Sequence, residues 1–160
     1  MNNAGVDLFG PIANVKPADF RKVMDLNVMA VFFMCQAAIP HLRRPGRIIN
    51  MSSIAARCGV EEGVVYCASK GAIEGMTRSL AATIGAEGHT VNCVEPGPTQ
   101  SEMMDRLPKE LVEKQKAATP VENRVGTPDD IAQVVAFLAG ESSRWISGQS
   151  INASGGFSMI

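Results

Sequence analysis

The stretch from residue 47 to residue 94 sets the expected fold. It opens with "RIINM" (47–51), contains "VVYCASKGAIEGM" (64–76) and closes with "TVNCV" (90–94). Short apolar runs bounded by turn signals are typical of buried strands. The segment between them predicts a helix over about 64–85. A strand–helix–strand unit of this kind forms a right-handed crossover, so we expect the two strands to be parallel neighbours.

The flanking sequence extends this α/β pattern. Residues 15–42 predict one long helix, with Pro17 in its first turn and Asp19 near the positive end of its dipole. A loop is predicted over 95–101, a lesser helix over 109–118, a helix from Thr127 to Gly140, and a last strand over 149–153. The expected architecture is a parallel sheet with helices on both faces, in a single domain spanning 1–160.

Composition narrows the class of function. The 160 residues are 46% hydrophobic and 19% charged, which is typical of a compact globular protein. A net charge of −1 with scattered Lys and Arg predicts no nucleic-acid or membrane-surface partner. The best apolar run, 28–35, is too short to span a bilayer, and no signal peptide is visible, so we expect a cytoplasmic protein. Four cysteines without a CxxC pair and two histidines predict reduced thiols and no metal site.

Ligands of parallel sheets bind beyond the carboxyl ends of the strands, which here means 50–53, 95–101 and 153–156. Tyr66, the only tyrosine, lies one helical turn before Lys70. A fixed cation favours the phenolate and lowers the phenol pKa, while a serine such as Ser53 can bind the same substrate oxygen. This chemistry suits carbonyl reduction or its reverse. The alternative for an isolated Tyr–Lys pair is a surface lysine beside a half-buried tyrosine.

Six motifs in one order resemble the classical, NAD(P)-dependent short-chain dehydrogenase/reductase family. They are "NNAG" (2–5), "DLNV" (25–28), "GRIINMSS" (46–53), "YCASK" (66–70), "VNCVEPGPTQSEM" (91–103) and "SGQSINASGG" (147–156). The resemblance covers nearly the whole chain. It implies the C-terminal part of a Rossmann-like, doubly wound parallel sheet.

The resemblance also implies roles for individual residues. Asn27 would hold a water in a proton relay, Ser53 would orient the substrate oxygen, and Tyr66 would be the general acid/base. Lys70 would lower the Tyr66 pKa and hold the nicotinamide ribose. The implied cofactor contacts, besides Tyr66 and Lys70, are Asn3, Pro96, Gly97, Thr99 and Ser101.

The sequence departs from the family pattern at its beginning. It contains no strand followed by TGxxxGxG, the turn whose helix N-terminus holds the cofactor pyrophosphate. We therefore expect an N-terminally incomplete domain that binds NADP(H) weakly or not at all. NADP is the expected cofactor, and NAD is not excluded, because the residues that select between them are also missing.

The leading interpretation is an oxidoreductase of ketoreductase type in a homo-oligomer, and the sequence does not identify its substrate. A second is a non-catalytic remnant that acts as a pairing module through the smooth helix face of Ala68, Ala72 and Gly75. A third is a hydrolase or lyase using Ser53 with His41 or His89, although no GxSxG elbow is present. Met103, Met104 and Leu107 suggest either an apolar lid over a cyclic or aromatic substrate or plain packing. We also expect the Ser53, Tyr66 and Lys70 side chains to converge at the carboxyl end of the sheet.

Overall fold

The computed structural model describes residues 1–159. Within that range three strands form one parallel sheet in the order β1-β2-β3. The strands are β1 (Arg47–Met51), β2 (Thr90–Pro96) and β3 (Ser150–Ala153). The α-helices are α1 (Pro17–Met24), α2 (Ala30–Ala38), α3 (Ala55–Cys58), α4 (Val64–Ile84), α5 (Lys109–Ala118) and α6 (Pro128–Ala139).

Helices cover both faces of the sheet, as the sequence predicted. Because successive side chains of a strand point to opposite faces, Ile48 and Val91 pack with α2 and α4, whereas Ile49 and Val94 pack with α6. The helix α6 begins as expected, with Thr127 as its N-cap and a reciprocal capping box that joins Thr127 to Asp130. The α/β fold class is therefore confirmed.

Two element boundaries differ from the prediction. Glu95 and Pro96 were expected in a loop, but β2 extends through both because Pro96 pairs with Ala153 of β3. The predicted long helix over 15–42 is interrupted by a π-helical turn, Asp25–Met29, between α1 and α2. A π-helical turn inside a helix often lies at a functional site. A further short helix, α3, was not predicted.

The helix that runs from Pro17 to His41 also differs from the membrane expectation. It has 25 residues, and its most apolar 18-residue window has a mean hydropathy of 1.6 and is 22% buried. By length and composition alone it could cross a membrane. The expectation considered only unbroken apolar runs, whereas a spanning helix tolerates a few polar residues. Core helices of globular proteins and N-terminal signal sequences have the same property, so this is weak evidence.

The first residues lie beside β1. The backbone N–H of Asn2 donates to Ile49 O (2.9 Å), and Met51 N–H donates to Asn2 O (3.1 Å), so that Asn2 forms a parallel bridge with Asn50. This pairing places the residues that follow, Asn3 to Gly5, at the carboxyl end of the sheet.

Candidate active site

Ser53 lies directly beyond β1, in a segment that remains paired to β2. Ser52 N–H donates to Val94 O (2.8 Å) and Ile54 N–H donates to Pro96 O (3.2 Å), so Ser53 is fixed between two sheet-like hydrogen bonds. Its Oγ accepts a hydrogen bond from Ala55 N–H (3.2 Å). The same hydroxyl lies near enough to the phenol of Tyr66 to lower its pKa. Ser53 and Tyr66 therefore lie near one another beyond the carboxyl end of β1.

Tyr66 is largely enclosed, and its environment differs from the prediction. Its ring packs on Phe9, with 5.9 Å between ring centroids. Burial raises the pKa of the Tyr66 phenol, and the hydrogen bond from Ser53 opposes that rise while the nearby Asp7 carboxylate adds to it. The phenol pKa is thus raised where the sequence predicted a lowering, and the predicted effect of Lys70 on it stays a prediction.

Lys70 is buried between the end of β1 and the ring of Tyr66. Its side chain is 6% exposed, its Nζ donates to Met51 O at 2.9 Å, and Nζ lies 5.7 Å from the centre of the Tyr66 ring. Burial lowers the pKa of the ammonium from 10.5 to about 8. At neutral pH an ammonium with this pKa remains mostly protonated, so a positive charge lies beside the Tyr66 ring.

Asn27 lies at the back of the same site, in the π-helical turn. Its side chain is buried and uses its hydrogen bonds within the protein: Nδ2 donates to Val6 O (2.8 Å) and Ser69 Oγ (3.0 Å), and Oδ1 accepts from Val6 N–H (2.9 Å). A Cβ on Gly5 would lie 3.3 Å from Asn27 Oδ1 and 3.4 Å from Lys70 Nζ. The side chain of Asn27 therefore anchors the segment that passes Lys70, and its predicted contact with a relay water stays a prediction.

The predicted cofactor residues do not all lie together. Asn3, Pro96 and Thr99 line one groove of ≈ 550 Å³ between the sheet end and α6. Gly97 instead packs against β3, since a Cβ there would lie 2.6 Å from Ser154 Cβ. Ser101 caps a turn, with its Oγ accepting from Met104 N–H at 3.2 Å. Tyr66 and Lys70 are outside the groove lining, although Met51, whose carbonyl accepts from Lys70, is part of it.

The two histidines considered as partners of Ser53 lie away from it. His89 is buried, and its Nδ1 accepts from Gly46 N–H at 2.8 Å, just before β2 begins. His41 precedes β1, so both histidines lie at the amino end of the sheet, opposite Ser53. A Ser53–His pair therefore does not form, which removes the basis of the hydrolase interpretation.

Met104, one of the residues of the predicted lid, is buried and packs in the interior. Within residues 1–159 no group of three or more His, Cys, Asp and Glu side chains could hold a metal ion.

Sequence reasoning missed a charged cluster beside Ser53. Glu74 lies four residues after Lys70 on the same face of α4, and Arg57 of α3 contacts both Glu74 and the buried Glu95. The i, i+4 spacing of Lys70 and Glu74 could have shown that the two residues share one face of a helix. The sequence gives no comparable signal for Arg57 and Glu95, because their contacts form only when α3 and β2 pack against α4.

This doubly wound α/β architecture, with Ser53, Tyr66 and Lys70 at the carboxyl end of its sheet, matches known proteins. A family model described as "Enoyl-(Acyl carrier protein) reductase" matches residues 1–158. "Dehydrogenase OXI1" of Cochliobolus heterostrophus is 42% identical over 168 residues, covering 100% of this chain and 71% of the relative. The chain therefore belongs to the short-chain dehydrogenase/reductase family.

Further relatives and solved structures agree. "Short-chain dehydrogenase/reductase FrzI" of Cladobotryum sp is 44% identical, over 98% of this chain and 63% of its own length. A short-chain dehydrogenase/reductase from Brucella melitensis superposes with a TM-score of 0.95 at 32% identity, covering 99% of this chain and 64% of that one. The angucycline C-6 ketoreductase LanV with bound NADP gives 0.89 at 39% identity, covering 96% and 60%. The chain thus spans 63–71% of the length of these two curated relatives.

Proposed function

We propose that this chain carries the catalytic residues of an NADP(H)-dependent oxidoreductase that interconverts a ketone and a secondary alcohol. The observation that supports this proposal is the placement of Ser53 beside Tyr66 and Lys70 at the carboxyl end of β1, where the Ser53 hydroxyl lowers the Tyr66 pKa. Two hydroxyls that lie near one another can both reach a single substrate oxygen. Family relatives that are named as dehydrogenases and reductases are consistent with the same chemistry.

In this proposal Tyr66 transfers the proton and Ser53 orients the substrate oxygen. Because burial raises the Tyr66 pKa, the phenol is protonated at neutral pH and is ready to act as a general acid. The neutral phenol donates its proton to the carbonyl oxygen of the ketone, and the Ser53 hydroxyl donates a hydrogen bond to the same oxygen. Alcohol oxidation needs the phenolate instead, which the raised pKa makes scarcer at neutral pH.

A nicotinamide cofactor, when bound, supplies or accepts the hydride. The groove beside the sheet end offers donors and acceptors that suit the nicotinamide–ribose end, namely the exposed amide of Asn3 and the hydroxyl of Thr99. Lys70, whose Nζ donates to the carbonyl of Met51 in the groove lining, would hold the ribose hydroxyls. NADP is favoured over NAD because LanV and a metagenomic blue fluorescent protein, similar at 39% and 40% identity, are described with NADP and NADPH bound.

The test is NADPH consumption by the purified protein with cyclic and aromatic ketones, followed by absorbance. Y66F removes only the hydroxyl, and we expect it to lower turnover by about 10²–10⁴-fold, the usual contribution of general acid catalysis. T83V is the matched control, since it removes an exposed hydroxyl further along the same helix. Where T83V consumes NADPH, a Y66F variant that consumes it equally fast would contradict the proposal, provided that circular dichroism shows both variants folded.

A pairing module remains the second candidate, because the helix α2 exposes large apolar side chains. Phe32, Phe33 and Met34 are 47%, 54% and 60% exposed. Ala68, one of the small residues on the face of α4 named above, is also exposed, so packing within the chain leaves part of that face accessible. Sedimentation of the purified protein distinguishes the candidates: self-association without NADPH consumption would favour the module, whereas consumption lost in Y66F favours the oxidoreductase.

A further inference from the structure

A single carboxylate holds the chain on both sides of Ser53. Glu74 of α4 accepts a hydrogen bond from Ser52 Oγ through Oε1 (3.1 Å) and from Arg57 Nε through Oε2 (3.1 Å). Ser52 immediately precedes Ser53, and Arg57 follows it by one turn of α3. Glu74 therefore fixes the segment that carries Ser53 to the helix that carries Tyr66.

A second carboxylate completes the arrangement. Glu95, near the end of β2, lies with its Oε1 2.9 Å from Arg57 Nε, and its side chain is only 1% exposed. Glu74 is 5% exposed. Two buried carboxyl groups that share one cation are costly unless the geometry is fixed and the charge is balanced. In the part of the chain that the structure describes, Glu95 Oε1 accepts no hydrogen bond, and its ion pair with Arg57 offsets part of the cost of its burial.

The protonation of Glu95 fits this geometry. Burial raises the pKa of the Glu95 carboxyl, and the neighbouring Glu74 carboxyl raises it further, whereas Arg57 lowers it. A second arginine, Arg78, also approaches Glu74 Oε2, but at 4.0 Å and with 59% of its side chain exposed. The two arginines thus form a natural pair for comparison, because Arg57 contacts both acids and Arg78 contacts one.

We propose that Arg57, Glu74 and Glu95 are positioning residues, which lock the segment around Ser53 to α4 so that the Ser53 hydroxyl stays against Tyr66. They do not themselves face the substrate oxygen in this arrangement. The proposal depends on the proposed function only where it calls the Ser53–Tyr66 contact catalytic. Its geometric content can be measured without turnover, because Tyr66 is the only tyrosine in the chain.

The experiment titrates Tyr66 by the ultraviolet absorbance of tyrosinate, with circular dichroism to verify folding at each pH. S53A removes a hydrogen bond that lowers the Tyr66 pKa, so we expect the pKa to rise by about half a unit to one unit. R57Q should raise it by a similar amount, because the Ser53 segment is released. R78Q should leave it unchanged. The charge of Arg57 is not among the influences on Tyr66 found within residues 1–159, so a shift in R57Q reports movement of Ser53.

A double variant tests whether the two acids act together. With Arg57 gone, the two carboxylates repel one another, so E95Q added to R57Q should restore both the melting temperature and the Tyr66 pKa toward the original values. If R57Q does not fold, R57K keeps the charge but loses the Nε contact and should still shift the pKa.

Three outcomes would overturn the proposal. R57Q could lower the melting temperature yet leave the Tyr66 pKa equal to that of R78Q, which would make the cluster purely stabilising. R57Q and R78Q could shift the Tyr66 pKa equally, which would indicate that the loss of any nearby positive charge, and not the release of the Ser53 segment, causes the shift. S53A could leave the pKa unmoved, which would show that Ser53 is not held against Tyr66. Turnover that survives in Y66F would refute the proposed function alone and leave these comparisons valid.

Discussion

Replacing Lys70 with methionine should make the stability of the protein respond differently to pH. Lys70 is 6% exposed, and burial lowers its pKa from 10.5 to about 8. Each pKa unit corresponds to about 1.4 kcal/mol, so a folded chain that keeps Lys70 charged is destabilised by about 3 kcal/mol. Methionine matches the unbranched side chain and carries no charge.

The sign follows from proton binding. Between pH 8 and 10.5 the unfolded chain keeps a proton on Lys70 that the folded chain has lost, so the free energy of unfolding rises with pH across that window. The penalty is full below pH 8 and absent above 10.5. K70M removes it at every pH, but also loses the hydrogen bond from Nζ to Met51 O, which costs about 1–3 kcal/mol regardless of pH.

The measured quantity is the difference in unfolding free energy between K70M and the original protein, from urea denaturation at a series of pH values. We expect this difference to favour K70M by about 3 kcal/mol more at pH 7 than at pH 10.5. The matched control is K114M, which exchanges an exposed lysine of α5 for methionine. A K70M difference that stays constant with pH, within about 1 kcal/mol, would refute the assignment of a buried, easily neutralised ammonium.

Two further predictions concern the walls of the site. G97A should lower the free energy of unfolding by about 1–3 kcal/mol, because the added Cβ would lie 2.6 Å from Ser154 Cβ; G71A, at a helical glycine with open space around its Cβ position, should raise it by about 0.5–1 kcal/mol. Thermal denaturation measures both, and a G97A variant as stable as G71A would contradict the close approach. N27A should lose three buried side-chain hydrogen bonds and speed hydrogen exchange at the Val6 amide, whereas unchanged exchange would show that Asn27 does not anchor this segment.

The sheet and its main helices could be predicted because their signals are local. The apolar runs "RIINM" and "TVNCV" and the helix between them define the crossover without reference to the rest of the chain. The spacing of Tyr66 and Lys70 likewise fixes their relation by one helical turn. The position of Ser53 followed from these elements, because the end of β1 and the first turns of α4 meet at one edge of the sheet.

The incorrect predictions concern features that depend on tertiary contacts. Glu95 appears in a stretch rich in proline and glycine, and only its pairing neighbours in β3 make it part of a strand. The π-helical turn around Asn27 has no local sequence signal, and it depends on the contacts that Asn27 makes with Val6 and Ser69. The pKa of Tyr66 was predicted in the wrong direction because spacing reveals a neighbour but not the burial of the phenol.

The opposite pKa shifts of Tyr66 and Lys70 have one cause. Burial favours the neutral form of each group, which raises the phenol pKa and lowers the ammonium pKa. The tuned pair expected from the sequence therefore requires a change in the environment of Lys70 rather than a different spacing. A ligand whose hydroxyls accept hydrogen bonds from Nζ would stabilise the charged ammonium, and that charge would in turn favour the phenolate of Tyr66. In this way the acid strength of Tyr66 would depend on whether the site is filled, and proton transfer would be enabled only when a ligand is in place.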